Sequence, residues 1–184
     1  MNVRDLTYVA LFAAVMGVLG LMPPIPIGVM PVPITLQTLG VILAGGILGA
    51  RLGAMSQIVF LLIVATGMPL LSGGRGGIGV FVGPSAGYLL SWPITAFLIG
   101  TIQSRFSKIR LGNVLPLNLT VGIFAIYLIG VPVQAFVMDL GVLDVAKASL
   151  LFLPGDIIKA TIASFLIINL QKYPVFNNRR MLPS

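Results

Sequence analysis

Apolar residues fill this chain in long blocks that no charge interrupts. Residues 6–50, 52–74, 76–104 and 111–138 contain no Asp, Glu, Lys or Arg. A helix needs about 20 mostly apolar residues to cross a bilayer. Cut at their prolines, glycines and isolated basic residues, the blocks predict six such helices, at about 6–22, 34–50, 52–71, 85–104, 113–138 and 150–171. The first is stopped by Pro23-Pro24. It is longer than a signal-peptide core and more spans follow it, so it reads as a transmembrane helix rather than a leader. Two connections are unusual. PPIPIGVMPVP (23–33) carries five prolines, and SGGRGGIGVFVGP (72–84) carries six glycines. Neither fits a regular helix.

Composition sharpens the picture. Hydrophobic residues make up 58% of the 184 positions and charged ones 8%, against roughly 45–50% and 25% in a soluble domain. So few charges cannot cover a water-facing surface, which excludes a soluble globular enzyme and a disordered chain. The length fits one domain, here a single all-α membrane domain over 1–184. The net charge of +7 does not imply nucleic acid, because the cations punctuate apolar runs instead of clustering on one face. Their placement sets orientation. In a six-span chain Arg4, Arg51, Arg105, Lys108, Arg110, Lys172, Arg179 and Arg180 fall on one side, against Arg75 and Lys147 on the other and Lys159 near the membrane. Basic residues concentrate in cytoplasmic loops, so both termini are expected in the cytoplasm. The proline-rich connection, the glycine-rich loop and the start of the sixth helix then share the outer face.

The chain has no cysteine and no histidine. That removes a disulfide framework, a thiol nucleophile, and any His-based metal site or general base. No GxxxxGK[ST] phosphate loop occurs, so energy from ATP would have to come from a partner. No catalytic residue, cofactor or metal is expected.

Small residues recur at helical spacing. Gly45, Gly49 and Gly53 form one stripe, and Gly46, Ala50 and Ala54 another. Such stripes let helix backbones approach closely in lipid, here as internal packing of the second and third helices. On the first helix Ala10, Ala14 and Gly17 line up, with Ala13 beside them. That stripe suits internal packing or the docking of another membrane subunit.

The polar residues are fewer and more telling. Asp156 and Lys159 are three apart, on one side of a helix, at a depth where charge costs roughly 2.5–3.5 kcal/mol to insert. They could form an internal ion pair, and Asp156 could cap the sixth helix after Pro154-Gly155. A cation in the first turn opposes the helix dipole, so Lys159 is better explained by an anion that comes to it. In Gly73-Gly74-Arg75-Gly76-Gly77 the glycines let backbone approach a ligand. Arg75 either meets that ligand or snorkels to headgroups. Tyr88 and Trp92 could stack on a ligand ring or serve as interfacial aromatics. Gln37 is a further candidate hydrogen-bonding group, whereas Thr35 and Thr38 can bond back to their own helix.

Three blocks in order, PPIPIGVMPVPITLQTLGVILAG, GMPLLSGGRGGIGVFVGPSAGYLLSW and FLPGDIIKA, resemble the BioY family over nearly the whole chain. These are biotin-specific substrate-binding (S) components of energy-coupling factor (ECF) transporters. The resemblance implies a six-helix S-component bundle in a prokaryotic plasma membrane, with biotin bound near the outer face. It also implies assembly with a transmembrane coupling subunit and two cytoplasmic ATPase subunits, docked through Ala10 and Ala14. It implies that Asp156 meets the ureido N–H groups of biotin and Lys159 a polar end of the ligand. The loop bearing Gly74, Arg75 and Gly76 would close over the ligand. Some relatives carry Asn at the position of Arg75 and an arginine at that of Leu89, so Arg75 would supply the carboxylate partner that Leu89 cannot. Two alternatives stay open: an S component for another vitamin such as thiamine or riboflavin, and an accessory membrane protein without a small ligand.

Overall fold

The computed structural model describes residues 2–26 and 32–173. Arg179, Arg180 and part of the proline-rich connection lie outside them. The described chain is all-helical: α1 Val3–Gly20, α2 Gln37–Leu48, α3 Ala50–Ala65, α4 Ala86–Ser104, α5 Leu111–Met138 and α6 Val142–Leu170. Of these, α1, α5 and α6 are both long and apolar enough to cross a membrane. Among the described residues β structure is limited to two isolated bridges, Ile25 with Ile34 and Leu71 with Arg75.

The helices match the six apolar blocks, with shifted ends that have local causes. α1 begins at Val3, where the Asn2 backbone N–H donates to the Asp5 carboxylate at 3.2 Å. α3 stops at Ala65, well short of 71, because Gly67 takes a φ of +102° and turns the chain back. Residues beyond it fold over until Leu71 pairs with Arg75. α5 ends on Asp139 in the left-handed conformation, φ 54°. The polar stretch that follows, expected as a loop, is instead the helical start of α6, Val142–Ser149. A 3-10 turn at Leu150–Phe152 joins it to Leu153–Leu170. The joint coincides with Pro154, which has no N–H to continue the ladder and sits comfortably in a first turn. Two further irregularities are π-helical turns, Ala44–Leu48 at the end of α2 and Asn118–Gly122 just after Pro116 in α5. Gly49, with φ +80°, then swings α2 into α3.

α4 packs against α3 and α5, α3 against α1, and α2 against α6. Glycine permits the closest approaches. A Cβ on Gly100 of α4 would lie 2.1 Å from the Ala50 backbone nitrogen, and one on Gly45 would lie 2.5 Å from the Ala96 carbonyl oxygen. Gly45 thus packs on α4 and Gly53 on the end of α2, where a Cβ would lie 2.8 Å from the Ala44 carbonyl oxygen, while Gly49 serves the turn between α2 and α3 and a Cβ there would meet nothing within 4 Å. The outer surface is apolar: Leu11, Leu62, Phe97, Phe124, Leu128 and Phe165 are all exposed. That surface suits hydrocarbon, and helices satisfy the backbone hydrogen bonds that hydrocarbon cannot. Gly100→Leu is expected to destabilise the bundle by about 3 kcal/mol or more, since backbone cannot yield as a side chain would. Thermal unfolding in detergent checks this, with Leu62→Ala on the lipid-facing surface as a control that barely shifts the midpoint.

Candidate ligand cavity

The polar residues converge at the end of the bundle formed by the α1–α2 and α3–α4 connections. Asp156 and Lys159 stand one turn apart on α6, joined by an ion pair of 2.6 Å. Tyr127 of α5 donates its hydroxyl to the other Asp156 oxygen at 2.5 Å. Lys159 is 5% exposed. Its ammonium also donates to the Thr35 carbonyl oxygen at 2.9 Å and to the Thr38 hydroxyl at 2.7 Å. All three ammonium protons are thus used, which is what a buried cation requires. Lys159 is the clasp that holds the entry of α2 against α6. The Thr38 hydroxyl accepts from Lys159, whereas Thr35 contributes its backbone carbonyl rather than its hydroxyl. Asp156 caps no backbone N–H. A carboxylate has about four acceptor sites, and two are occupied here, so Asp156 keeps capacity for two more donors.

Asp156 and Lys159 form one wall of a narrow cavity, with about 70 Å³ open to water-sized groups. Tyr127, Ile126 and Phe152 complete that wall. Arg75, Ser85, Leu89, Trp92, Val32–Thr35 and Leu71 line the rest of the cavity. The lining is mostly apolar, with a few placed polar groups, as ligand pockets are.

Other predicted residues take different places around this cavity. Arg75 lines it, half-buried, with its Nε donating to the Ser72 carbonyl oxygen at 3.2 Å and Nη1 to the Ser85 hydroxyl at 3.3 Å. Burial pulls its pKa below the ordinary arginine value, yet guanidinium starts so basic that it remains a cation. Gly74 and Gly76 do not line the cavity. They border an adjoining surface cleft with Arg75, Gly83 and Ser85. Gly74 has φ +68°, and a Cβ on Gly76 would lie 2.2 Å from the Met68 carbonyl oxygen, so the loop requires both glycines. Tyr88 offers its ring to the wall but turns its hydroxyl away, donating to Gln134 Oε1 at 2.9 Å with Ser149 Oγ at 3.2 Å. Gln37 borders the cavity while its amide works elsewhere. It donates to the Met16 and Leu70 carbonyl oxygens at 3.2 and 3.1 Å and accepts from the Ser72 backbone N–H at 3.2 Å. It ties α1, α2 and the glycine-rich loop into one frame.

Tyr127 escaped sequence reasoning. The one signal was a tyrosine in the middle of an apolar span, and nothing local ties it to Asp156, 29 positions on. Far from the cavity, Ala10 and Ala14 are exposed on α1, while Ala13 and Gly17 are buried. The small-residue stripe is thus divided between an outward and an inward face.

A lipid-compatible helical bundle whose few buried or half-buried charges gather in one mostly apolar cavity has the build of a solute-binding membrane protein. The BioY family pattern matches residues 1–174, and the chain belongs to the BioY family. It is 49% identical over 166 residues to the probable biotin transporter BioY of Bacillus subtilis, covering 90% of this chain and 89% of that one. To the biotin transporter BioY of Rhizobium etli it is 43% identical over 172 residues, covering 90% and 92%. A crystal structure of the S component for biotin from an ECF-type ABC transporter superposes with a TM-score of 0.91 at 36% identity. The match covers 96% of this chain and 95% of that one.

Proposed function

We propose that this chain is a high-affinity biotin-binding S component of an ECF-type uptake transporter, not an enzyme. It binds the vitamin in the cavity at the outer face and delivers it inward with an ATP-driven module. That module is a transmembrane coupling subunit with two cytoplasmic ATPase subunits. The protein sits in a prokaryotic plasma membrane as one six-span domain with both termini in the cytoplasm, as the basic residues in its connections suggest.

The observation that carries the proposal is that an acidic acceptor, Asp156, and a second cation, Arg75, line one mostly apolar cavity. On one wall Asp156 retains acceptor capacity for two donors, and the biotin ureido ring offers two N–H groups. Lys159, with its three protons spent on Asp156, Thr35 and Thr38, fixes that carboxylate at the polar end of the ligand. Arg75, on the lining of the same cavity, is the cation for the valerate carboxylate, a role Leu89 cannot fill. The aliphatic and thiophane parts match Ile126, Phe152, Leu89 and the Tyr88 ring. Gly74 and Gly76 let the loop bring Arg75 over the ligand, and Gln37 keeps that loop in register.

Arg75→Ala is expected to weaken biotin by roughly 10- to 100-fold, the usual size of a charge-assisted contact of about 1.5–3 kcal/mol. The same change leaves the affinity for an uncharged biotin ester within about two-fold. Equal affinity of mutant and parent for biotin, measured by calorimetry, removes Arg75 from the site. The function itself is tested by uptake of labelled biotin in a biotin-auxotrophic bacterium that expresses this chain with the coupling subunits. Unlabelled biotin should compete and thiamine or riboflavin should not. Competition by thiamine or riboflavin instead would move the substrate and keep the transporter class.

A further inference from the structure

Five buried side-chain atoms lack a hydrogen-bond partner among the described residues: Gln57 Oε1, Trp92 Nε1, Thr95 Oγ1, Gln103 Oε1 and Asn118 Oδ1. Four are oxygens, and in Gln57, Gln103 and Asn118 the amide nitrogen of the same side chain is bonded. Trp92 differs in two ways. It is the member of the set that lines the ligand cavity, and an indole N–H can only donate. A buried donor left unpaired costs about 1–3 kcal/mol, so the missing acceptor is expected in whatever fills the cavity.

The position says which end of the ligand that is. Trp92 lies one turn beyond Leu89 on α4 and is 4% exposed. It packs in one cluster with Leu71 and Leu89, and the Leu71 backbone pairs with that of Arg75. Phe60 rests against the indole at 6.1 Å between centroids, which limits how the ring can turn. Asp156, Lys159 and Tyr127 line the same cavity from α5 and α6, and none of them packs in that cluster. Building on the biotin reading, we infer that Trp92 is a specificity-determining residue whose indole N–H donates to the ligand's carboxylate beside Arg75. A cation alone accepts any anion nearby. A fixed donor next to it selects a planar carboxylate at one distance from the ureido ring, and it penalises a ligand that ends in an apolar group.

The chain has one tryptophan, so its 15N-labelled form gives one indole N–H resonance that reports on this contact without mutation. Biotin should move that proton resonance downfield, and an analogue with methyl in place of the carboxylate should not. Trp92→Phe keeps an aromatic ring and is expected to weaken biotin about ten-fold, as loss of one such hydrogen bond does. It should leave the methyl analogue within two-fold. Equal downfield shifts with both ligands, no shift with biotin, or equal weakening of both ligands by Trp92→Phe would each overturn the inference. The parent protein distinguishes the two levels of failure. If it binds biotin and the resonance stays still, only the role of Trp92 falls. If it binds neither ligand, the biotin reading falls with it.

Discussion

Asp156→Ala is expected to cost the protein both its ligand and much of its stability. On the proposed reading, two charge-assisted hydrogen bonds to the ureido ring are worth together roughly 3–6 kcal/mol, which is a loss of about 150-fold or more in affinity. The second effect comes from Lys159. It is 5% exposed, with Asp156 at 2.6 Å as its countercharge. Removing one partner of a buried pair costs about 3–5 kcal/mol, because the remaining charge stays buried and uncompensated. The two effects separate in the double replacement Asp156→Ala with Lys159→Met. Removing both charges should recover most of the lost thermal stability, while biotin binding stays absent. Thermal unfolding and calorimetric titration of the single and double variants read the two separately. A double variant that still bound biotin tightly would reduce the pair to a structural ion pair, and the reading as an accessory protein without a small ligand would gain.

The second large effect belongs to α1. Ala10 and Ala14 are exposed, one turn apart, whereas Ala13 and Gly17 of the same helix are buried. Small side chains on an outward face let another helix backbone come close. If Ala10 and Ala14 form the proposed docking face, Ala10→Trp combined with Ala14→Trp should leave biotin affinity unchanged and abolish uptake, because neither residue lines the cavity. Leu128→Trp on the exposed face of α5 adds the same bulk elsewhere and should leave uptake near the parent level. Uptake by the alanine variants at the parent rate would place the docking surface on another helix.

How much of this was legible in the sequence depends on the physical range of each signal. Helix number and rough position follow from charge-free apolar blocks, which register burial in lipid residue by residue. Helix ends were less legible because they are set by single residues. Gly67 ends α3 early through its φ of +102°, and the stretch bearing Asp144 and Lys147 looks like a loop yet forms the first two turns of α6. In the cavity, Asp156, Lys159 and Arg75 stood out because charge in an apolar block is costly and needs a reason. The environment of each did not. Lys159 is held by Thr35 and Thr38, 124 and 121 positions away, and Tyr127 reaches Asp156 from another helix. Gln37 was flagged for its polarity, but its work as a three-way tie between α1, α2 and the loop is a tertiary fact. Contacts between distant segments leave no periodicity to read in one sequence.

The most direct test of the central claim is calorimetric titration of the purified, detergent-solubilised chain with biotin, thiamine and riboflavin. Tight one-to-one binding of biotin, with neither control binding, is the expected result. Saturable binding of thiamine or riboflavin in place of biotin, or no binding by protein shown to be folded, would contradict it.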